Sequence, residues 1–461
     1  MVSCKFRPIL LSLVLALVCL AVFGAVCRQS FVAWDDEINV YHSPYLNPAT
    51  AANTLHFWTS TTLGPNVTAY RPVVYTVYAL IAHFAVVPVR VNEFGAIALN
   101  PLPFHAVSLF IHIVNVLLVF GLLRRLTRGH DWAAGTGAAL FAFHPVQVEA
   151  VAWVTGLTDL LGATFSLLAL GLYLRWAAGG KWIQIAGATA CFILALLSKP
   201  SVVILPLMVM AIDYFLLGRS WRFWIKPLSF WLGLSAAAIG MTHLAEHVTL
   251  SGVVTPWYLR PLIAGDALAF YCGKLLWPVH LGIDYGRSPG AVLAGGKVWL
   301  TALVPAALGA AVWVLRKRVP WLAASILLFA LALLPVLGLV PFRFQTYSTV
   351  ADRYLYTALF GPALALACGL SRLPKALSPR AVLAVGSACG LILMLLCFGS
   401  ALQVTTWQNS YSLFQTALET NPHSWMAHYN LGILLTNRGE ATAARPHFVE
   451  AVRLKPEYAI Q

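Results

Sequence analysis

The sequence predicts an all-α protein built as a polytopic bundle of membrane helices, and three observations carry that prediction. Of the 461 residues, 60% are hydrophobic and 10% are charged, where a soluble domain carries about 25% charged residues. Sixteen acidic residues cannot clothe three or four water-soluble domains, so most of the surface faces lipid. Apolar runs of helix length then recur along the chain, and a hydrocarbon core about 30 Å thick asks for roughly 20 such residues per crossing. Eleven spans are read near 9–27, 105–123, 133–148, 157–175, 182–198, 200–217, 227–242, 298–315, 321–340, 354–370 and 381–401.

The elements follow in chain order. Lys5 and Arg7 precede the first run, whose length suits an uncleaved anchor better than a cleaved signal peptide. Residues 28–104 then form a long loop rich in Trp, Tyr, Pro and Asn. Loops of that length without a task are uncommon, and its stretches Ala49 to Leu63 and Pro72 to Val87 are predicted helices. The third span is short and holds His144 near its end. Residues 262–279 are apolar but contain Asp266, Lys274 and Pro278, which predicts a helix lying in or dipping into the interface.

Eleven crossings with the N-terminus inside put sixteen Lys and Arg residues in the cytoplasm and ten outside, with four more in the C-terminal tail. Almost every acidic residue, Asp131 and Asp213 excepted, then falls outside or in that tail. The positive-inside rule favours this orientation. It also explains the net charge of +14 through cytoplasmic loops, so nucleic acid is not an expected partner. The eight cysteines contain no C-x-x-C pair, and they fit neither a disulfide framework nor a zinc site.

After residue 402 the composition becomes that of a soluble helical hairpin. From Trp425 onward, Leu431-Gly432, Ala444, Phe448, Ala451 and Pro456 fall at tetratricopeptide spacing, and Pro422 precedes Pro456 by one repeat length. Phe414, Ala417 and Pro422 mark the second helix of an earlier, partial repeat. The expected organisation is a membrane domain over 1–402 and a partial repeat domain over 403–461.

Ionisable residues within or beside membrane spans are costly, so each is a functional candidate. Trp34-Asp35-Asp36-Glu37 places three consecutive carboxylates just after the first span. A partly desolvated carboxylate beside another has a raised pKa and suits a general base. His144 and Glu149 at the end of the third span are expected to face the outer water, with Asp159 where the chain re-enters the membrane. Lys199 sits in the turn between the fifth and sixth spans, Arg71 in the long loop, and Asp352-Arg353-Tyr354 at the start of the tenth span with Arg343 nearby. Carboxylates and cations thus gather on one side of the bilayer. That set suits a base acting on an acceptor and cations neutralising a phosphate leaving group. His243-Leu244-Ala245-Glu246-His247 fits an inverted zinc-protease pattern but lacks a third ligand and a soluble helical context. Asn66-Val67-Thr68 fits a glycosylation sequon, which matters only in a eukaryotic secretory pathway.

Several of these residues occur in an ordered set. Trp34-Asp35-Asp36, Asn47-Pro48, Arg71-Pro72, the run Phe141 to Ala152 containing His144-Pro145-Val146-Gln147-Val148-Glu149, Ser198-Lys199, Asp352-Arg353-Tyr354-Leu355-Tyr356 and the C-terminal repeat together resemble the transmembrane and tetratricopeptide-repeat-containing (TMTC) proteins and their bacterial relatives. The resemblance spans nearly the whole chain. It implies a GT-C-like fold and an inverting transfer of a sugar from a polyprenyl-phosphate donor to an extracytoplasmic acceptor hydroxyl on protein or glycan, with protein O-mannosylation the activity of the eukaryotic members. It also implies that the acidic pair supplies the base, Asp35 first because it is the first acid after Trp.

Under this reading Arg71, Lys199 and Arg353 hold the donor phosphate, and His144, Glu149, Asp159, Asp352 and Tyr354 support the site. No cofactor is required, although a divalent cation could bridge the carboxylates and the phosphate. Thr158 before Asp159 and Pro200 after Lys199 depart from the eukaryotic pattern of Arg and Glu. A bacterial inner membrane is therefore the expected setting, or the endoplasmic reticulum membrane if the chain is eukaryotic. Two other classes fit less well. A transporter or flippase of a lipid-linked or anionic solute would hold its charges near the midplane and show internal repeats, and a membrane scaffold gives no reason for the carboxylate pair.

Overall fold

The computed structural model describes residues 6–64, 67–92, 95–245, 255–374 and 377–456. The expectations for Asn66, Glu246 and His247 lie outside them. Each of the eleven apolar runs is helical, because each supplies uninterrupted helix formers whose backbone groups have no water to bond with in lipid. Among the described residues, six helices are long and apolar enough to cross a membrane, or seven if the bent pair Asp352–Ala358 and Phe360–Ser371 is one span. The chain is an integral membrane protein.

The difference from eleven has a local cause. The remaining expected spans are short or broken helices. Asp131–Phe143 has 13 residues, ending at His144-Pro145, and Trp182–Leu196 has 15. The sixth begins with the 3-10 turn Pro200–Ile204 before Leu205–Phe215, and the ninth, Pro320–Leu333, runs into a second 3-10 turn at Leu334–Val336. Proline and turn residues break these runs on the side where the polar residues gather.

Helices Pro101–Leu126, Asp131–Phe143 and Leu157–Ala177 form the most buried part of the bundle. His112 illustrates how polar groups survive there: its Nδ1 lies 2.9 Å from the Tyr356 hydroxyl and its Nε2 3.3 Å from the Ala142 carbonyl oxygen, while Asn115 donates to the Leu160 carbonyl at 3.0 Å. Helix Arg260–Leu276 occupies the segment expected at the interface. Its Asp266 is buried, accepts from Thr301 at 2.9 Å and pairs with Arg287, which accounts for a carboxylate in an apolar run.

The long loop contains both predicted helices, at Ala51–Thr59 and Pro72–Ala85. It also forms two small antiparallel strand pairs that hydrophobic periodicity did not reveal, Thr62–Gly64 with Val67–Thr68 and Val86–Asn92 with Gly95–Leu99. The two helices pack through stacked Phe57 and Tyr75 rings, 4.7 Å apart, and a 2.9 Å bond from the Trp58 indole to Thr76. The last long helix, Pro379–Thr406, runs four residues past the expected boundary at 402. Helices Ser410–Thr420, Trp425–Asn437 and Ala441–Leu454 follow, with Leu431, Ala444 and Ala451 buried between them.

Candidate active site

The acidic loop is built by stitches from distant parts of the chain. Leaving the first helix, the backbone runs extended past Gln29 to Ala33. Gln29 donates to the Val404 carbonyl at 2.7 Å, the Ser30 amide to the Gln408 carbonyl at 3.1 Å and the Ala33 amide to the Ser410 hydroxyl at 2.9 Å. The Trp34 carbonyl accepts the Trp153 indole at 2.6 Å.

The next two residues take opposite roles. Asp36 is fully buried: one carboxylate oxygen accepts the Val32 amide at 3.1 Å, and the other accepts both the amide and the hydroxyl of Thr155, at 3.1 and 2.8 Å. Asp35 is exposed and has φ +68°, a left-handed conformation that costs a non-glycine residue about 1–2 kcal/mol. Such strain persists only where the surroundings over-determine it. Here the turn that Asp36 closes with Val32 does so.

Asp35 is exposed yet closely surrounded by protein atoms, so it is both accessible and poorly hydrated. That crowding pushes its pKa above the ordinary carboxylate value, while the guanidiniums of Arg353, Arg71 and Arg343 pull it back. Burial raises Asp36 to about 7 against the bonds from Val32 and Thr155, with the charge of Asp35 adding to the rise. Burial likewise raises Glu37 to about 8, helped by Asp35 and Asp36, and its buried Oε2 has no hydrogen-bond partner.

The cations arrive on four different elements. Arg71 precedes Pro72, the first residue of helix Pro72–Ala85. That helix is fixed to the acidic loop by a 2.6 Å bond from the Tyr75 hydroxyl to Asn39 and to the bundle by a 2.9 Å bond from Tyr78 to the Val154 carbonyl. The buried Nε of Arg71 has no hydrogen-bond partner among the described residues. Arg343 is exposed in the turn Arg343–Thr346.

Arg353 is held tightly. Its Nη1 lies 2.5 Å from Glu149 Oε1, its amide donates to Glu149 Oε2 at 2.8 Å, and its guanidinium lies over the rings of Phe344, Tyr354 and Trp153. Lys199 pairs with Asp159 and stands 5.7 Å from the Tyr354 ring centroid. Gly162 permits that approach, since a methyl group there would lie 2.9 Å from the Lys199 Cβ. Beside Lys199 and Tyr354 opens a shallow groove lined mainly by apolar residues, among them Leu167, Leu170, Val202, Leu205 and Met208.

The structure therefore brings Asp35, Arg71, Arg343 and Arg353 to one place and links Lys199, Asp159 and Glu149 to it through Tyr354. It corrects one expectation. His144 and Glu149 do not face water: both are buried, His144 with Nε2 3.1 Å from the Leu275 carbonyl and Glu149 against Arg353. Arg353 and Lys199 are each one half of an ion pair. The Tyr285 hydroxyl lies 2.8 Å from both Asp352 carboxylate oxygens and shares its one proton with them, which orders the loop at Tyr285. Among the described residues, no group of three or more His, Cys, Asp or Glu side chains is placed to hold a metal ion. The oxygens of Asp36 are already engaged, so a divalent cation would meet Asp35 as the open carboxylate.

Sequence reasoning missed Thr155, Trp153 and Ser410. Each is an ordinary residue type in an ordinary run, and only long-range pairing reveals it.

No family model matches the chain. The resemblance read from the residues is nevertheless matched by curated relatives. The chain is 24% identical over 445 residues to protein O-mannosyl-transferase F38B6.6 of Caenorhabditis elegans, covering 94% of this chain and 61% of that protein. It is 25% identical over 425 residues to human protein O-mannosyl-transferase TMTC1, covering 78% and 46%, and 26% identical over 508 residues to human TMTC4, covering 96% and 66%. The chain thus spans about half to two thirds of the length of these relatives. It is also similar to the crystal structure of ArnT from Cupriavidus metallidurans bound to undecaprenyl phosphate, at 13% identity and TM-score 0.40, over 97% of this chain and 75% of that one.

Proposed function

We propose that this chain, similar over most of its length to named protein O-mannosyl-transferases, is a membrane glycosyltransferase that moves a sugar from a polyprenyl-phosphate donor to an acceptor hydroxyl. A protein Ser or Thr is the favoured acceptor, by the names of those relatives. One observation carries the reading. An accessible carboxylate, Asp35, stands with its hydrogen-bonding capacity unspent beside Arg71, Arg343 and Arg353. A general base and an anion-stabilising cluster are what displacement at an anomeric carbon needs.

Asp35 takes the proton of the acceptor hydroxyl. The oxygen attacks the anomeric carbon from the face opposite the phosphate, a new glycosidic bond forms, and the old bond breaks with its electron pair staying on the phosphate oxygen. The configuration inverts. Arg71, whose Nε has no protein partner, and Arg343 neutralise the departing polyprenyl phosphate, with Arg353 contributing charge while it remains tied to Glu149. Lys199 stands at the mouth of the apolar groove beside Tyr354, where the isoprenoid lies and the lysine meets the phosphate from the lipid side. Asp36 acts through Asp35 by fixing the turn.

The rest of the proposal follows the charge distribution. The N-terminus is cytoplasmic, and the acidic loop and the repeat hairpin of residues 403–461 are extracytoplasmic; Thr158 and Pro200, which depart from the eukaryotic pattern, favour a bacterial inner membrane over the endoplasmic reticulum.

The test is transfer from radiolabelled polyprenyl-phosphate sugars by the purified protein in proteoliposomes. Labelled product with inverted configuration is expected. No transfer from any polyprenyl-phosphate sugar, to peptide or to glycan acceptors, would overturn the reading.

A further inference from the structure

The strand that presents Asp35 is held by the far end of the chain. Three of its stitches, Gln29 to Val404, Ser30 to Gln408 and Ala33 to Ser410, run to a seven-residue stretch that closes the last long helix and opens helix Ser410–Thr420. Two of the three use backbone carbonyls, which no substitution removes. The third uses the Ser410 side chain. Its hydroxyl accepts the Ala33 amide two residues before Asp35, and both residues are buried, at 7% and 4% exposure. Trp407 lies against Trp153, whose indole holds the Trp34 carbonyl, so the same stretch supports the loop from two directions.

The hairpin beyond also touches the cation side. Trp425 lies 6.2 Å from Tyr347, and the Lys455 ammonium lies over both rings, 4.5 and 5.9 Å from their centroids. Tyr347 immediately follows the turn that carries Arg343. Asn421 donates to Asp284 at 3.2 Å in the neighbouring loop. The C-terminal helices thus grip the base loop at Ser410 and the Arg343 loop at Tyr347, the two loops that contribute the exposed members of the site.

We propose that Ser410 is a positioning residue for the transfer reaction: its hydroxyl fixes the Ala33 amide and thereby the left-handed turn that presents Asp35, so the C-terminal helices form part of the catalytic apparatus and are not an appended adapter. This rests on the glycosyltransferase reading above. Without the hydroxyl, the Ala33 amide is buried unpaired, and the strand relaxes toward another acceptor. The strained Asp35 conformation is then no longer over-determined. A displacement of the base by an ångström costs rate while leaving the donor groove untouched.

The experiment compares Ser410→Ala, Ser410→Cys and Ser410→Thr with the unaltered protein in the same proteoliposomes, each normalised to folded protein by gel filtration, with Asp35→Asn as the reference. Ser410→Ala is expected to lower kcat about ten-fold, the size set by leaving one buried donor unpaired. Its KM for the donor should stay the same, and the rising limb of the pH–rate profile should shift because Asp35 changes its surroundings. Ser410→Thr, which keeps the acceptor oxygen, should restore both, and Ser410→Cys should fall between. A purely structural role would lower the yield of folded protein but leave kcat per folded molecule and the pH profile unchanged in Ser410→Ala, or in Ser410→Cys if the alanine variant does not fold, and that result overturns the proposal. If Asp35→Asn itself retains full transfer, the glycosyltransferase reading with Asp35 as base fails first, whatever Ser410 does.

Discussion

Two groups of acids and arginine sit in different parts of the bundle, and they differ in whether their bonds are closed. In the first, Asp213 is fully buried with one oxygen accepting from Arg219 at 2.8 Å and the other from the Tyr173 hydroxyl at 2.5 Å, while Arg219 also donates to the Ala177 carbonyl at 2.6 Å. In the second, Asp35 is open, Arg71 keeps a buried nitrogen without a partner and Glu37 a buried oxygen without one. A closed network ties helix ends together. An open one stores bonding capacity that a substrate can use, at the cost of about 1–3 kcal/mol for each unmet group. Polar residues in a membrane protein thus divide by satisfaction, not by type.

The largest expected effect breaks the comparison directly. Asp35→Asn removes the proton acceptor and should lower transfer about a hundred-fold or more with donor affinity kept and thermal stability nearly unchanged, since the side chain supports nothing else. Asp213→Asn should do the reverse. It leaves Arg219 in a buried site without its counter-charge, for a loss of about 3–5 kcal/mol in stability, with transfer per folded molecule intact. Thermal melting in detergent beside the transfer assay reads both. A catalytic loss in Asp213→Asn matching that in Asp35→Asn would dissolve the distinction.

Next come the cations. Arg71→Gln removes a guanidinium whose Nε has no protein partner, so its cost should fall on the reaction: about ten- to a hundred-fold in rate, one charge-assisted contact to phosphate. Arg353→Gln strands Glu149, buried and no longer paired, and should damage folding as well as rate. Lys199→Gln strands Asp159, nearly as buried as Glu149, so it should also cost stability, and its effect on the reaction should show as weaker donor binding. Equal donor affinity and turnover in Arg71→Gln and the unaltered protein would remove Arg71 from the phosphate site.

How much of this was legible beforehand depended on the range of the interaction. Helix existence was local: a run such as 105–123 reads as a helix from its own residues and is one, within Pro101–Leu126. The strand pair Val86–Asn92 with Gly95–Leu99 was not read, because Val86 and Val87 continue the preceding apolar run and the alternation of Val89 to Asn92 is too short to stand out. Asp35, Arg71 and Arg353 were found by the expense of charge beside lipid, a signal that each residue carries alone. Their division of labour was not legible. Nothing in Trp34-Asp35-Asp36 says that Asp36 spends its oxygens on Val32 and Thr155, and nothing in His144-Pro145 says that the chain turns inward and buries Glu149 against Arg353, 204 residues away. Periodicity carried the expectation that His144 and Glu149 face water, and it failed because the helix stops at Phe143 and the face it would have presented no longer exists.

The smallest effect sharpens the comparison within the site itself, between Asp35 and Asp36. Asp35 acts only when ionised, and its pKa lies above the ordinary value of 3.8, so the rate should rise with pH along a limb displaced upward from the usual carboxylate range. The charge of Asp35 in turn raises Asp36, which burial pushes up to about 7. Asp36→Asn removes the second titrating group of the pair, so the limb should narrow to the single ionisation of Asp35. It also replaces one acceptor of the Val32 or Thr155 bonds, so the plateau rate should fall modestly as the turn loosens, by less than in Asp35→Asn. Two carboxylates this close titrate as a pair, and the limb in the unaltered protein belongs to both. A pH–rate profile for Asp36→Asn that keeps the original limb would show that the two charges do not communicate. A limb moved to higher pH would mean that burial of Asp35 had deepened, reversing the assignment of Asp36 as the residue that holds the turn open.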